Sequence, residues 1–247
     1  MIELNTIYNE DCIKENGMCL IPDKSIDMIL CDLPYGVTAR NKWDEIIPFE
    51  PLWEQYERII KDNGMMCFTA TQPFATKLIN SNNKLFKYDL IWDKKLSTGF
   101  LNAKRQPLRR HELILCFYKK MPTYNPIMRK GKQRSKGGKL YSLSDCYGTI
   151  NQPKEKEIYD EYYPTSIIEI GNANQKEKVH PTQKPVELFE YLINTYTNEN
   201  ELVLDNCMGS GTTAIACLNT KRNYIGFETD EEYYNLSLER VKNHKIA

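Results

Sequence analysis

Nowhere in the 247 residues do eighteen uncharged apolar positions run together, and a helix that crosses a bilayer needs about twenty. The opening Met1-Ile2-Glu3-Leu4-Asn5 lacks the basic-then-apolar layout of a secretory leader. These two absences lead us to expect a soluble, cytoplasmic chain with no membrane partner. The eight cysteines form no C-x-x-C pair, lie mostly within apolar runs, and sit near no pair of the three histidines. That pattern argues against disulfides and zinc, so buried free thiols and no bound metal are expected. No Gly-Lys-Ser/Thr follows the glycine turn near residue 210, which removes the phosphate-binding P-loop.

Net charge is also lacking, with 33 basic and 33 acidic residues, but the balance is uneven along the chain. From Lys94 to Lys139 there are fourteen basic residues and one acid, Glu112. A segment of that kind suits a phosphate backbone, which attracts cations by Coulomb energy and counterion release. On charge alone a solvated loop is an equal reading.

What is present is an alternation of strand and helix patterns. Ile26 to Cys31 is a short apolar run ending in Asp32-Leu33-Pro34-Tyr35-Gly36, a buried strand followed by a turn. Leu52, Tyr56, Ile59 and Ile60 recur at helical spacing after Pro51, with Asn63-Gly64 as the expected stop. Strands are predicted at Met65 to Ala70, Tyr88 to Trp92 and Leu113 to Tyr118, and a helix at Thr71 to Ile79. From Met121 to about Val179 the pattern dissolves into Gly, Pro, Lys, Tyr and Asn, a stretch long enough that function or disorder must account for it. Order returns with a helix from Pro185 to Tyr196, a strand from Glu201 to Leu204, and a helix from Thr212 to Asn219. A strand from Tyr224 to Phe227 and a helix from Asp230 complete the chain. Such alternation predicts an α/β fold with a mostly parallel sheet.

Two strand ends concentrate the chemistry. Gly209-Ser210-Gly211-Thr212-Thr213-Ala214 follows the strand that ends at Asp205 and fits G-x-G-x-x-A, in which glycines let backbone amides approach a ligand. Glu228 ends the next strand, where a carboxylate can accept from both hydroxyls of a ribose. Together they indicate an adenosine-containing cofactor, with a purely structural turn as the alternative. Asp205 fits either a cofactor contact or a cap on the following helix. At the earlier strand end, Asp32 can accept from an exocyclic amino group, whose lone pair is delocalised into its ring. The Leu33 carbonyl can supply a second acceptor, and Tyr35 a ring to stack on a base. A tight turn whose Asp caps a helix is the plain alternative.

Asp32-Leu33-Pro34-Tyr35 resembles the D-P-P-Y motif of DNA amino-methyltransferases, and Asp205 to Thr213 resembles their D-P-F-x-G-S-G-T-T. Between them, His180-Pro181-Thr182-Gln183-Lys184-Pro185 resembles H-P-T-x-K-P. With the catalytic motif first and the cofactor motif last, the order is that of the β class. Tyr8-Asn9-Glu10-Asp11-Cys12 is loosely similar to its short G-D-C segment. Leu33 stands where the family has a proline, and Asn206-Cys207 where it has Pro-Phe. At Cys207 a small apolar filler and a reactive thiol are both readings.

The resemblance implies a Rossmann-like, mostly parallel seven-stranded sheet with helices on both faces and a loop-rich target-recognition insertion at 120–179. The flanking parts, 1–119 and 180–247, would be the catalytic and cofactor-binding halves. It implies S-adenosyl-L-methionine as cofactor and double-stranded DNA as partner, with methylation at N6 of a flipped-out adenine. The catalytic residues would be Asp32, Leu33, Pro34 and Tyr35. Cofactor contacts would come from Asp11, Asp32, His180, Thr182, Lys184, Asp205, Gly209, Ser210, Gly211, Thr212 and Glu228. Lys184 would pair with the carboxylate of the cofactor, although an exposed lysine before a helix is the common case. Phe100, Lys104, Arg105, Arg109 and Arg110 are candidate DNA contacts. A homodimer and a cognate restriction enzyme are candidate partners. Relatives with Ser in place of Asp32 tend to act on cytosine N4, so Asp32 leans toward adenine. Two rivals remain: an NAD-dependent oxidoreductase, which would use the same glycines and Glu228, and a non-catalytic nucleic-acid binder.

Overall fold

The computed structural model describes residues 2–36, 45–136, 157–172 and 183–244. The chain forms two compact units, Met1–Asn125 with Ser166–Ala247, and Pro126–Thr165.

In the larger unit the elements run β1 (Thr6–Tyr8), β2 (Ile26–Cys31), α1 (Phe49–Ile59), β3 (Ile60–Ala70), α2 (Phe74–Ser81), β4 (Phe86–Thr98) and β5 (Arg109–Phe117). The smaller unit holds β6 (Arg129–Lys136) and β7 (Glu157–Tyr162). The larger unit then resumes with β8 (Ile167–Glu169), α3 (Val186–Tyr196), β9 (Leu202–Asp205), α4 (Thr212–Asn219), β10 (Asn223–Phe227) and α5 (Glu231–Asn243). Its sheet has the order β1-β10-β9-β2-β3-β5-β4-β8. All neighbours are parallel except β3/β5 and β5/β4. The mostly parallel α/β sheet expected from the sequence is therefore present, with β8 bringing the strands to eight.

The strands read as continuous apolar runs because both faces are covered. Along β2, Ile26, Ile29 and Cys31 face one core with Leu52, Trp53 and Tyr56 of α1. Met28 and Leu30 face the other, with Leu188, Phe189 and Leu192 of α3 and Ala214 of α4. Shifting the strand by one residue would exchange the two sets, so packing fixes the register.

The structure departs from the sequence reading, or adds to it, in three places. Asn63-Gly64 does not stop a helix. α1 ends at Ile59, and β3 runs through 63–64 with an irregularity, since Ile26 pairs with Ile60 and Met28 with Met65. A Cβ on Gly64 would lie 2.7 Å from the Ile60 side chain and 2.9 Å from the Asp27 carbonyl, so the glycine admits close packing. The N-terminal strand β1, which has no sequence signal of its own, pairs with β10. Finally, the stretch 120–179 is divided. Asn125 anchors its start to α3, its amide donating to the Thr195 carbonyl at 2.7 Å. Ile167 to Glu169 join β4 as β8. Within the smaller unit, Lys130 lies opposite Glu161 and Arg134 opposite Tyr159, so part of the basic block faces an acidic strand.

Candidate functional site

The sheet turns outward in both directions from the β9/β2 pair: β9 leads through α4 to β10 on one side, and β2 through α1 to β3 on the other. Open α/β sheets hold their ligands at the carboxyl ends of strands at such a switch point. Asp205 ends β9 and Asp32 follows β2, which are adjacent and parallel. The two acids thus share one edge. There a cavity of about 630 Å³ opens, lined by Asp32, Tyr35, Lys184, Asp205, Gly209 and Glu228 among others. Asp11, Leu33, Pro34, Ser210 and Thr212 also line it. Gly211 does not, and His180 and Thr182 lie outside the described residues.

Asp32 is tied on both oxygens. Its Oδ1 accepts from the Tyr35 hydroxyl at 2.7 Å and from the Thr69 hydroxyl, while its Oδ2 lies 2.9 Å from Lys184 Nζ. Lys184 also lies 3.3 Å from Glu112 Oε2, and Glu112 Oε1 accepts from Lys94. An acidic and basic tetrad, Asp32, Lys184, Glu112 and Lys94, therefore sits in the cleft wall. Burial opposes the charge of Lys184, but Asp32, Tyr35 and Glu112 hold its pKa well above the ordinary range. Burial also pushes the Glu112 carboxyl upward, and Lys184 and Lys94 outweigh it, leaving the group below its usual value. Burial and then the Asp32 charge push the Tyr35 hydroxyl up, so it is a proton donor to Asp32 at neutral pH. Lys184 is 8% exposed, not the solvated lysine that is common before a helix, and its charge is directed at two acids of the chain itself. Sequence reasoning missed Glu112, which it read only as the lone acid of a basic segment. Its period-two position on β5, inward and opposite Trp92, was the available signal.

The glycine turn is built from hydrogen bonds. Asp205 Oδ1 accepts from the Cys207 amide at 3.0 Å and Oδ2 from the Thr213 hydroxyl. Burial raises the Asp205 pKa to about 6, with those two bonds acting against it. Glu228 Oε2 accepts from the Gly209 amide at 2.7 Å and Oε1 from the Asp230 amide at 2.9 Å. Its pKa is raised by burial. Gly209 has φ +54 and a Cβ there would meet nothing closer than 4.0 Å, so its absence keeps that wall of the cleft thin. Gly211 has φ +81, and a Cβ would meet Ser237 of α5 at 3.1 Å. Its glycine serves helix packing, not the cleft. Ser210 and Thr212 are held from α5 as well, with Arg240 Nη1 donating to the Ser210 carbonyl at 3.0 Å and to the Thr212 hydroxyl at 3.2 Å. Asn206, where the family motif has proline, accepts from the buried Tyr56 hydroxyl at 2.5 Å and so pins the turn to α1. At Cys207, a Cys31 hydrogen bond lowers the pKa, but burial and neighbouring acids leave it raised. The thiol is consequently not activated.

The candidate DNA contacts lie on the loop between β4 and β5 and at the start of β5. Because β4 runs parallel to β2, its end at Thr98 is on the cleft edge, and Thr98 and Lys94 line the cavity. Phe100, Lys104, Arg105 and Arg109 are exposed. Arg110 differs, since its Nε and Nη2 donate to the two oxygens of Asp93 at 2.8 and 2.9 Å. That bidentate pair was invisible to charge counting and leaves Arg110 a strand-bracing residue.

A doubly wound sheet with acids and a glycine turn at its switch point defines a Rossmann-like α/β protein. The chain belongs to the DNA methylase family, whose pattern matches residues 26–239. It is 44% identical over 242 residues to YubD of Escherichia coli (strain K12), covering 94% of this chain and 87% of that one. It is 29% identical over 254 residues to the type II methyltransferase M1.MboII of Moraxella bovis, covering 95% of each. The crystal structure of the M1.HpyAVI–SAM complex shares its fold, with TM-score 0.63 and 24% identity, covering 95% of this chain and 98% of that one.

Proposed function

We propose that this protein transfers the methyl group of S-adenosyl-L-methionine to N6 of an adenine swung out of double-stranded DNA. The observation that carries the reading is that Asp32, after β2, and the Gly209 turn, after β9, line one cavity at adjacent strand ends. The residues fit the cofactor: Glu228 keeps a second lone pair on each oxygen for ribose hydroxyls, and Asp205 offers an acceptor to an adenine amino group. When bound, the cofactor supplies an activated methyl that needs only to be placed in line with its acceptor.

The chain supplies the acceptor side. Asp32 and the Leu33 carbonyl accept the two amino hydrogens and draw the nitrogen lone pair out of conjugation. Tyr35 and Thr69 steer one Asp32 oxygen, and Lys184 holds the other. A base within a duplex cannot reach this edge, so it must be extruded, and the Tyr35 ring offers it a face. The Pro126–Thr165 unit selects the sequence, its arginines reading base edges and its lysines reaching phosphates. Resemblance to relatives named type II methyltransferases favours a restriction–modification setting. N4-cytosine methylation is the second reading, since both amino groups suit the same pair of acceptors.

Sequencing of genomic DNA from cells expressing the protein, with detection of modified bases, tests all of this together. N6-methyladenine within one short motif is expected, and lost with Asp32→Ala. N4-methylcytosine would replace the adenine assignment, and unmodified DNA would remove the transferase reading.

A further inference from the structure

From the β4–β5 loop we infer a wedge: Phe100 and Leu101 enter the base stack of duplex DNA and occupy the space of the extruded base. The inference rests on the reading of the protein as a DNA methyltransferase and adds the element that opens the duplex. Phe100 is 77% exposed and Leu101 84%, so the pair adds nothing to either core.

The tip is nonetheless built. Gly99, at φ +87, turns the chain into a single 3-10 turn from Phe100 to Asn102. The amides of Asn102 and Ala103 donate to the carbonyls of Gly99 and Phe100 at 2.9 and 3.0 Å, and that of Arg105 to the Asn102 carbonyl at 2.8 Å. Lys104, Arg105 and Arg109, which follow the apolar pair in the chain, carry no ion pair among the described residues. The loop also leaves the same sheet edge as the cleft, two residues after Thr98 in the cavity wall. Two uncovered apolar side chains followed along the loop by three cations with no ion pair among the described residues fit a partner that is anionic outside and apolar a few ångströms within. Duplex DNA has that profile, and wedges of Phe and Leu between base steps are a known way to unstack it.

The test places a probe at the tip, with Phe100→Trp compared with wild type and with Leu4→Trp, an exposed site remote from the loop in sequence. Anisotropy of a labelled DNA duplex reports binding in the same samples. With duplex bound, the Phe100→Trp emission should be quenched and shielded from acrylamide, while the Leu4→Trp emission should not change. The double variant Phe100→Ala with Leu101→Ala should methylate duplex DNA on the order of a hundredfold more slowly, the scale of a few kcal/mol of unstacking, with cofactor affinity unchanged. Bound duplex with a Phe100→Trp probe that stays open to acrylamide overturns the wedge and leaves the transferase reading intact. A blue shift on anionic phosphatidylglycerol vesicles but not on DNA assigns the tip to a lipid surface and also overturns it. Failure of the wild type to bind any duplex removes the transferase reading and the wedge with it.

Discussion

Lys184 Nζ stands 2.9 Å from Asp32 Oδ2 and 3.3 Å from Glu112 Oε2, one cation shared by two carboxylates in the cleft wall. Removing one partner of a buried pair costs about 3–5 kcal/mol because the other charge stays behind without compensation. Lys184→Met should therefore lower unfolding free energy in urea by roughly that amount. Asp32→Asn in the Lys184→Met background should recover part of the loss, since Asp32 is the acid left without a cation while Glu112 keeps Lys94. Additive effects of the two changes would separate Asp32 from the tetrad.

Burial raises Asp205 from 3.8 to about 6, and two consequences have opposite sign. Between those values the native state binds the proton more tightly than the unfolded chain. Its contribution to stability is therefore complete below 3.8 and lost as pH rises through about 6. Cofactor binding should move the other way, because the ionised carboxylate is a stronger acceptor for an adenine amino group than the neutral acid. Below about 6 the S-adenosylmethionine dissociation constant should rise, by at most about tenfold per pH unit. Calorimetry from acid to neutral pH checks this. Asp205→Asn should bind more weakly at neutral pH with a shallower acid slope, and an unchanged slope would assign the titration to Glu228, whose pKa burial also raises.

The two glycines of the turn should separate stability from binding. Gly211→Ala meets a left-handed backbone, about 1–2 kcal/mol for a residue with a Cβ, and Ser237 at 3.1 Å besides. Gly209→Ala meets the backbone cost alone, with its new methyl in the cleft wall. Thermal unfolding should show Gly211→Ala as the less stable variant, and cofactor titration should show Gly209→Ala as the weaker binder. The reverse ranking would mean that the turn is not the ligand wall.

Much of the fold was legible in sequence because a strand covered on both faces is a plain apolar run, as in β2, and because an acid or glycine after such a run marks its end. The residues Thr212 to Asn219 are a helix in both readings. What stayed hidden depends on partners distant in the chain. β1 has three residues and becomes a strand only through β10. Gly64 looked like a stop because its packing against Ile60 and the Asp27 carbonyl is tertiary. Glu112 stood out only as the lone acid of a basic segment, yet it is one of the cleft acids. Arg240, thirty residues from Ser210, holds the glycine turn through three bonds, and nothing near it in sequence signals that role.

Charge pairing in the fold takes three cations out of the basic segment, and salt dependence can test those left near the β4–β5 loop. Lys94 is spent on Glu112, Arg110 on Asp93, and Lys120 on Asp62. Lys104, Arg105 and Arg109 remain unpaired among the described residues. Each phosphate contact contributes about 0.9 to the slope of log binding constant against log salt. Alanine at any of the three should therefore flatten the slope for duplex binding by about 0.9. Arg110→Ala should leave the slope alone and change unfolding free energy little, as befits an exposed pair. Equal slope changes at all four positions would mean that Asp93 releases Arg110 on binding. No change at Lys104, Arg105 and Arg109 would move the phosphate track off the β4–β5 loop, leaving the Pro126–Thr165 unit as the place to look for it.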